Sequence, residues 1–156
     1  MRDFSDDLSD YGFSTEVRVR LSETDAVGIV FFGSFASYFD VGRMDYLANL
    51  NLNRFGGAIR DLIPGAIVAH ETRFKSPARY NDVLTIFVRI AAIGTTSYTF
   101  HFKMLNKSTR AVVADGSLTI VWMDLEQEPI PVPDAFREVI RGFEGAGLAE
   151  PKRDLS

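Results

Sequence analysis

In a chain of 156 residues with 2 histidines and 0 cysteines, few side chains can move a proton or attack a carbonyl. The one in an unusual setting is Asp25, near the head of Thr24-Asp25-Ala26-Val27-Gly28-Ile29-Val30-Phe31-Phe32-Gly33. Turns are normally polar, yet this connecting segment is mostly apolar. Gly28 permits a positive φ or the close approach of another group to the backbone. The segment feeds a helix expected to begin at Ser34, and the first N–H groups of a helix lack intrahelical acceptors and sit at the positive end of its dipole. An oxyanion or a polarised carbonyl could accept from them. A carboxylate beside such donors, between apolar walls, suits attack on a carbonyl. Asp25 can equally be a turn residue that caps its own loop, and both readings stand at this point.

Other chemistries find little support. There is no G-x-S-x-G elbow, no H-E-x-x-H and no phosphate-binding loop. Without cysteine there are no disulfides, zinc–thiolate sites, iron–sulfur clusters or thiol nucleophile. Two histidines make a multi-histidine metal site hard to build, so no metal is expected. His101 falls on the polar face of its strand, as a solvated or cross-strand-paired imidazole. His70 shares an apolar face with Val68 and Phe74, where it reads as a hydrogen-bonded core side chain or as a catalytic one. The net charge of −4 disfavours a nucleic-acid partner. No run approaches the ~18 apolar residues of a membrane span. Residues 1–13 are acidic and lack the features of a secretory leader, which makes a cytoplasmic location the expectation.

The elements that must position Asp25 follow from periodicity. Residues 15–22 alternate, with Val17, Val19 and Leu21 opposite Glu16, Arg18 and Arg20, as in a half-buried strand. Residues 65–75, 82–93, 95–105 and 110–123 give four more strands, the last three joined by short turns into an antiparallel meander. Residues 34–50 have helical spacing, with Ser34 as N-cap and 49–57 as the exit. This helix is apolar almost all round, which predicts burial on several sides. One long helix and about five antiparallel strands make an α+β domain in which a sheet curls around the helix. Residues 133–143 give a shorter amphipathic helix, expected to pack outside. The domain is expected to span 14–146, with flexible ends at 1–13 and 147–156.

The motif Thr24-Asp25-x-x-Gly28-Ile29-Val30-Phe31-Phe32, then Phe35, Tyr38-Phe39-Asp40 and Arg43, resembles the signature of the 4-hydroxybenzoyl-CoA thioesterase family of hot-dog-fold acyl-CoA thioesterases. Thr72-Arg73-Phe74-x-x-Pro77-Ala78-Arg79-Tyr80-Asn81-Asp82-Val83-Leu84 resembles the family's strand and the turn after it. Gly94, Ser97, Phe100 and Ala114-Asp115-Gly116 also fit. The resemblance runs from about Val17 to Asp124 and implies the hot-dog fold. It also implies that Asp25 is the catalytic carboxylate and that the Phe32 backbone N–H polarises the thioester carbonyl. Asp40 matches an acidic position of the family, although pairing with Arg43 at i+3 is the better reading of it. Phe31-Phe32 stands where relatives often carry Tyr-His, which leaves Asp25 and backbone donors to do the work.

Thioester hydrolysis requires no cofactor, coenzyme A being part of the substrate. Asp25 would act as nucleophile through an anhydride, or as base on a water. The expected substrate contacts are Gly28, Val30, Phe31, Gly33, Phe35, Val68 and His70, around an aromatic or medium-chain acyl group. Lys75, Arg79, Lys107 and Arg110 are candidates for the coenzyme A phosphates. Exposed sheet edges predict a homodimer or homotetramer. A hot-dog hydratase is disfavoured because Val30 stands where a histidine would be needed. An acyl-carrier-protein thioesterase and a non-catalytic acyl-binding module are the alternatives.

Overall fold

The computed structural model describes residues 4–52 and 65–151. Five strands form one antiparallel sheet: β1 (Phe13–Arg18), β2 (Gly65–Phe74), β3 (Val83–Ile93), β4 (Ser97–Asn106) and β5 (Val112–Trp122), in the spatial order β1-β3-β4-β5-β2. Helix α1 (Ser34–Asn49) lies against the inner face, and α2 (Asp134–Glu144) closes one end. This is the hot-dog arrangement that the sequence predicts.

The period-2 alternation of the meander sets which side chains meet the helix. Val88, Phe102 and Gly116 stand in register across β3, β4 and β5, as do Ile90, Phe100 and Leu118. The large side chains of these rows are buried, as are Phe35, Tyr38, Phe39, Tyr46 and Leu47 of α1. Two glycines let helix and sheet approach. A Cβ at Gly42 would lie 3.1 Å from Ile86 and Val88, and one at Gly116 would lie 3.0 Å from the Phe39 ring and run into the Glu71 carbonyl. Phe39 instead stacks on Phe102 with centroids 4.7 Å apart.

Several expectations need correcting. The first strand covers Phe13–Arg18, and Leu21 is 69% exposed on a 3-10 turn at Leu21–Glu23. Gly33, rather than Ser34, is the N-cap, and the Ser34 hydroxyl donates to the Glu23 carbonyl at 3.0 Å. The expected exit over 49–57 lies partly outside the described residues. Helix α1 is covered along one side only, since Ala36, Ser37, Val41 and Ala48 remain exposed. A five-stranded sheet wraps no more than that.

Helix α2 does not pack outside. Its Phe136 and Ile140 enter the core, with the Phe136 ring 5.0 Å from both Tyr98 and Trp122. The start of the chain also departs from expectation, because Phe4 and Tyr11 are buried on the outer face of the sheet. Phe4 packs edge-on to His101 at 5.0 Å under the Arg73 guanidinium, and Asp6 meets the buried Lys103 ammonium at 2.6 Å. At the other end, Ala149 pairs with the free edge of β3, donating to the Ala91 carbonyl and accepting from the Ile93 N–H, each at 2.9 Å.

Glu144, at the end of α2, joins three elements. One carboxylate oxygen accepts from the Tyr46 hydroxyl at 2.6 Å and from the Ile90 N–H at 3.0 Å, where β3 runs on past β1. Burial pushes this carboxyl above its ordinary value of 4.5, against the pull of both donors. Since the folded state favours the protonated acid, its contribution to stability is full below 4.5 and is lost as pH rises through the higher folded value. Denaturant midpoints from about pH 4 to about pH 7 should show wild type losing stability relative to Glu144→Gln as pH rises. A difference flat across that range contradicts the assignment.

Candidate active site

Asp25 stands on a tight loop between the Leu21–Glu23 turn and α1. Thr24 and Val30 form a bridge that closes the loop. Within it, the Asp25 N–H donates to the Ile29 carbonyl at 2.9 Å and the Gly28 N–H donates to the Asp25 carbonyl at 3.0 Å. Carboxylate oxygen Oδ1 accepts from the Val27 N–H at 2.9 Å. No described residue donates to Oδ2. One carboxylate oxygen thus caps the loop, and the other is left without a donor among the described residues. Gly28 has φ +87°, a conformation that L side chains rarely adopt.

A second turn buttresses the loop from below. Ala78 is buried, and its carbonyl accepts from the Val30 N–H at 2.8 Å, while Ile29 bridges Arg79. The turn is fixed in its own right, because Asp82 Oδ2 accepts from the Arg79 N–H at 2.8 Å and Asn81 takes up φ 70°. Asn81 also accepts from the Arg18 guanidinium at 3.1 Å, tying the turn to the end of β1.

Beyond Val30 the chain enters α1. The Phe31 N–H donates to the Glu23 carbonyl at 2.9 Å, and the carbonyls of Phe31 and Phe32 accept from Ser34 and Phe35. The N–H groups of Phe32 and Gly33 find no acceptor among the described residues. These are the donors that a helix start leaves open. A Cβ at Gly33 would lie 2.5 Å from the half-exposed Phe31 ring, which would have to move aside.

An open cleft of about 470 Å³ brings these features together. Asp25 and Phe32 both line it, with apolar walls from Ile29, Val30, Phe35, Phe74, Pro77 and Ala78, and with Lys75 and Ser76 also in its lining. Ser76 is already committed, its hydroxyl donating to the Val112 carbonyl at 2.7 Å. Phe32 is 69% exposed and packs on Phe31 with centroids 4.6 Å apart.

Of the residues singled out in the sequence, Asp25, Val30, Phe32, Phe35 and Lys75 line this cleft, while Gly28 and Gly33 shape the backbone beside it. Val68 and His70 do not line it. They lie on β2, an edge strand, where His70 faces Phe39 edge-on at 5.8 Å and bonds the Thr72 hydroxyl at 2.7 Å. His70 is exposed rather than buried in the core. Arg79 is exposed, and its backbone is bridged to Ile29. Lys107 pairs with Glu16 at 2.8 Å, and Arg110 occupies the β4–β5 turn, so neither lines the cleft. Asp40 accepts from Arg43 at 2.5 Å, the pairing that their spacing predicts. Sequence reasoning missed Glu23 and the carbonyl of Ala78. The signal for Ala78 lay in the apolar residue after Pro77, but nothing local shows what its carbonyl meets.

The model of the thioesterase-like superfamily matches residues 19–140, so the chain belongs to that family. It is 25% identical over 127 residues to the acyl-acyl carrier protein thioesterase ATL3 of Arabidopsis thaliana, a match covering 78% of this chain and 64% of that one. It is 23% identical over 122 residues to the acyl-CoA thioester hydrolase YbgC of Escherichia coli O157:H7, covering 78% and 90%. Among solved structures, a Thermus thermophilus thioesterase complexed with coenzyme A and zinc superposes with TM-score 0.76 at 24% identity, covering 87% of this chain and 97% of that one. A 1,4-dihydroxy-2-naphthoyl-CoA thioesterase from Synechocystis gives 0.72 at 21%, covering 82% and 94%.

The loop conformation can be tested apart from any activity. A Cβ at Gly28 would meet nothing within 4 Å, so its substitution costs conformational energy alone. Gly28→Ala should lower stability by about 1 kcal/mol and Gly28→Asn by less, read from denaturant midpoints. Equal stability of all three proteins contradicts the strain at this position.

Proposed function

We propose that this protein is an acyl-CoA thioesterase that cleaves an aromatic or medium-chain acyl thioester to the free acid and coenzyme A. The observation that carries the reading is a cleft that holds, among the described residues, a carboxylate oxygen without a donor and a helix-start amide without an acceptor. The thioester carbonyl oxygen would accept from the Phe32 N–H, where negative charge develops as the carbonyl carbon becomes tetrahedral. Asp25 Oδ2 would either attack that carbon or take a proton from the water that does. By the first route the C–S bond breaks, the thiolate leaves and water then hydrolyses the mixed anhydride. By the second, water oxygen bonds to carbon directly before the thiolate leaves.

The apolar walls suit the acyl group, and the aromatic acyl-CoA named for the Synechocystis enzyme supports an aromatic one. Lys75, in the cleft lining, suits the anionic end of the substrate, and the exposed Arg79 is a second candidate. The resemblance of the chain to YbgC favours coenzyme A over carrier protein as the acyl donor, and ATL3 favours the reverse.

The protein would work as a homodimer or a pair of dimers. Edge strand β2 leaves Ile67, Val68 and Phe74 half exposed, and α1 leaves Val41 open on its uncovered side. A second copy placed edge to edge along β2 would cover the three β2 side chains and remove the free edge.

A panel of benzoyl-, phenylacetyl- and straight-chain acyl-CoAs, with an acyl-carrier protein alongside, tests the reading through release of free thiol. Wild type should prefer the aromatic or medium-chain CoA substrates. Asp25→Asn should keep its fold and lower kcat by about 10²–10⁴-fold. Normal turnover by that variant, or no thiol release from any substrate by wild type, overturns the proposal.

A further inference from the structure

Glu23 precedes Asp25 by two residues and is bonded through both its backbone and its side chain. Its carbonyl accepts from the Phe31 N–H at 2.9 Å and from the Ser34 hydroxyl at 3.0 Å. Its carboxylate, largely buried, accepts from the Arg20 N–H at 2.8 Å, from the Tyr38 hydroxyl at 3.1 Å and from the Arg20 guanidinium at 3.4 Å. Arg20 and Tyr38 flank the loop along the chain, one where it leaves β1 and the other one turn into α1. A single residue thus fastens the beginning of the Asp25 loop to the helix that supplies the Phe32 N–H.

The electrostatics agree with a loaded acceptor. Burial opposes the charged form of Glu23, yet the bonds from Arg20 and Tyr38 outweigh it and hold the carboxyl below its ordinary value. Tyr38 is pushed the other way, by burial first and then by the adjacent carboxylate, so its hydroxyl stays a donor. A carboxylate acceptor makes bonds of this kind stronger than neutral ones. A second cleft of about 450 Å³, on the Tyr38 side of the loop, is lined by Arg18, Arg20, Glu23 and Tyr38. Glu23 therefore borders open space on that side.

We infer that Glu23 is a positioning residue that sets the register between Asp25 Oδ2 and the Phe32 N–H. The inference rests on the reading of Asp25 as the reacting carboxylate. A shift of about 1 Å in such a pair is enough to cost on the order of 10²-fold in rate. Glu23 touches neither substrate nor reacting atom, so its effect must pass through the geometry of Asp25.

Steady-state kinetics with the best substrate of the panel test this in wild-type and Asp25→Asn backgrounds. Glu23→Ala should lower kcat by about 10–100-fold with KM within about twofold. Glu23→Gln, which keeps an acceptor of the same length, should recover most of the loss. In the Asp25→Asn background Glu23→Ala should cost less than about twofold, because residues that act as a unit are not additive. Tyr38→Phe removes one donor and should lower kcat by a smaller factor, and it decides the matter if Glu23→Ala does not fold. Wild-type kcat in Glu23→Ala, or in Tyr38→Phe where that variant decides, overturns the inference. An equal loss in both backgrounds does so too, as does an effect confined to KM. If Asp25→Asn turns over normally, the reading of Asp25 falls and this inference with it. If only the Glu23 variants behave as wild type, this inference alone falls.

Discussion

A backbone amide that meets neither a carbonyl nor a side chain is a donor held ready, and among the described residues the leading end of α1 presents two of them, on Phe32 and Gly33. Their direction is fixed by the helix, and the helix is fixed by the sheet. Phe39 stacks on Phe102 over the gap that Gly116 leaves, and Gly42 brings the helix axis down onto β3. The close fit of rod and sheet is thus what aims the amides. A helix displaced by a methyl group at either glycine would aim them elsewhere.

The loop that carries Asp25 is fixed by three ties, of which the last reaches the helix. Its own turn supplies one tie, through Val27 and Gly28; the Ala78 carbonyl supplies a second, and Glu23 supplies the third. Each tie spends polar groups, so the loop can be apolar and still leave few of its amides unpaired. The apolar side chains Ile29, Val30 and Phe35 are then free to wall a cleft instead of making a turn. Family membership and geometry meet here: a thioester needs little more than a placed carboxylate and a placed amide, because thiolate is already a good leaving group.

Much of this could be read from the residues. The alternation of Leu84, Ile86, Val88 and Ile90, and of Tyr98, Phe100, Phe102 and Met104, predicts the inner face of the sheet, because both strands are central and each face has one environment. The same reasoning puts His70 on the inner side of β2 but misjudges its burial, since an edge strand runs past the helix that would cover it. Leu21 continues an alternating pattern and still leaves the sheet, because Glu23 draws the chain into a 3-10 turn through a bond to the Arg20 N–H. Phe4 and Tyr11 look like part of a frayed end; what holds them is the far-off outer face of β3 and β4, including a buried lysine. Asp25 could be singled out because its signal is local, and Phe32 through the family motif that surrounds it. Glu23, the Ala78 carbonyl and the choice among the cations could not, because each depends on contacts between segments distant in sequence.

The most direct measurement follows the backbone amides of the protein by NMR during titration with a non-hydrolysable thioether analogue of benzoyl-CoA that keeps the carbonyl. If the amides at the start of α1 receive the substrate carbonyl, the Phe32 N–H resonance should move strongly downfield on saturation. The amides of the Val27–Gly28 turn, bonded within the loop, should move little. Saturable binding that shifts other residues while Phe32 stays in place would contradict the account.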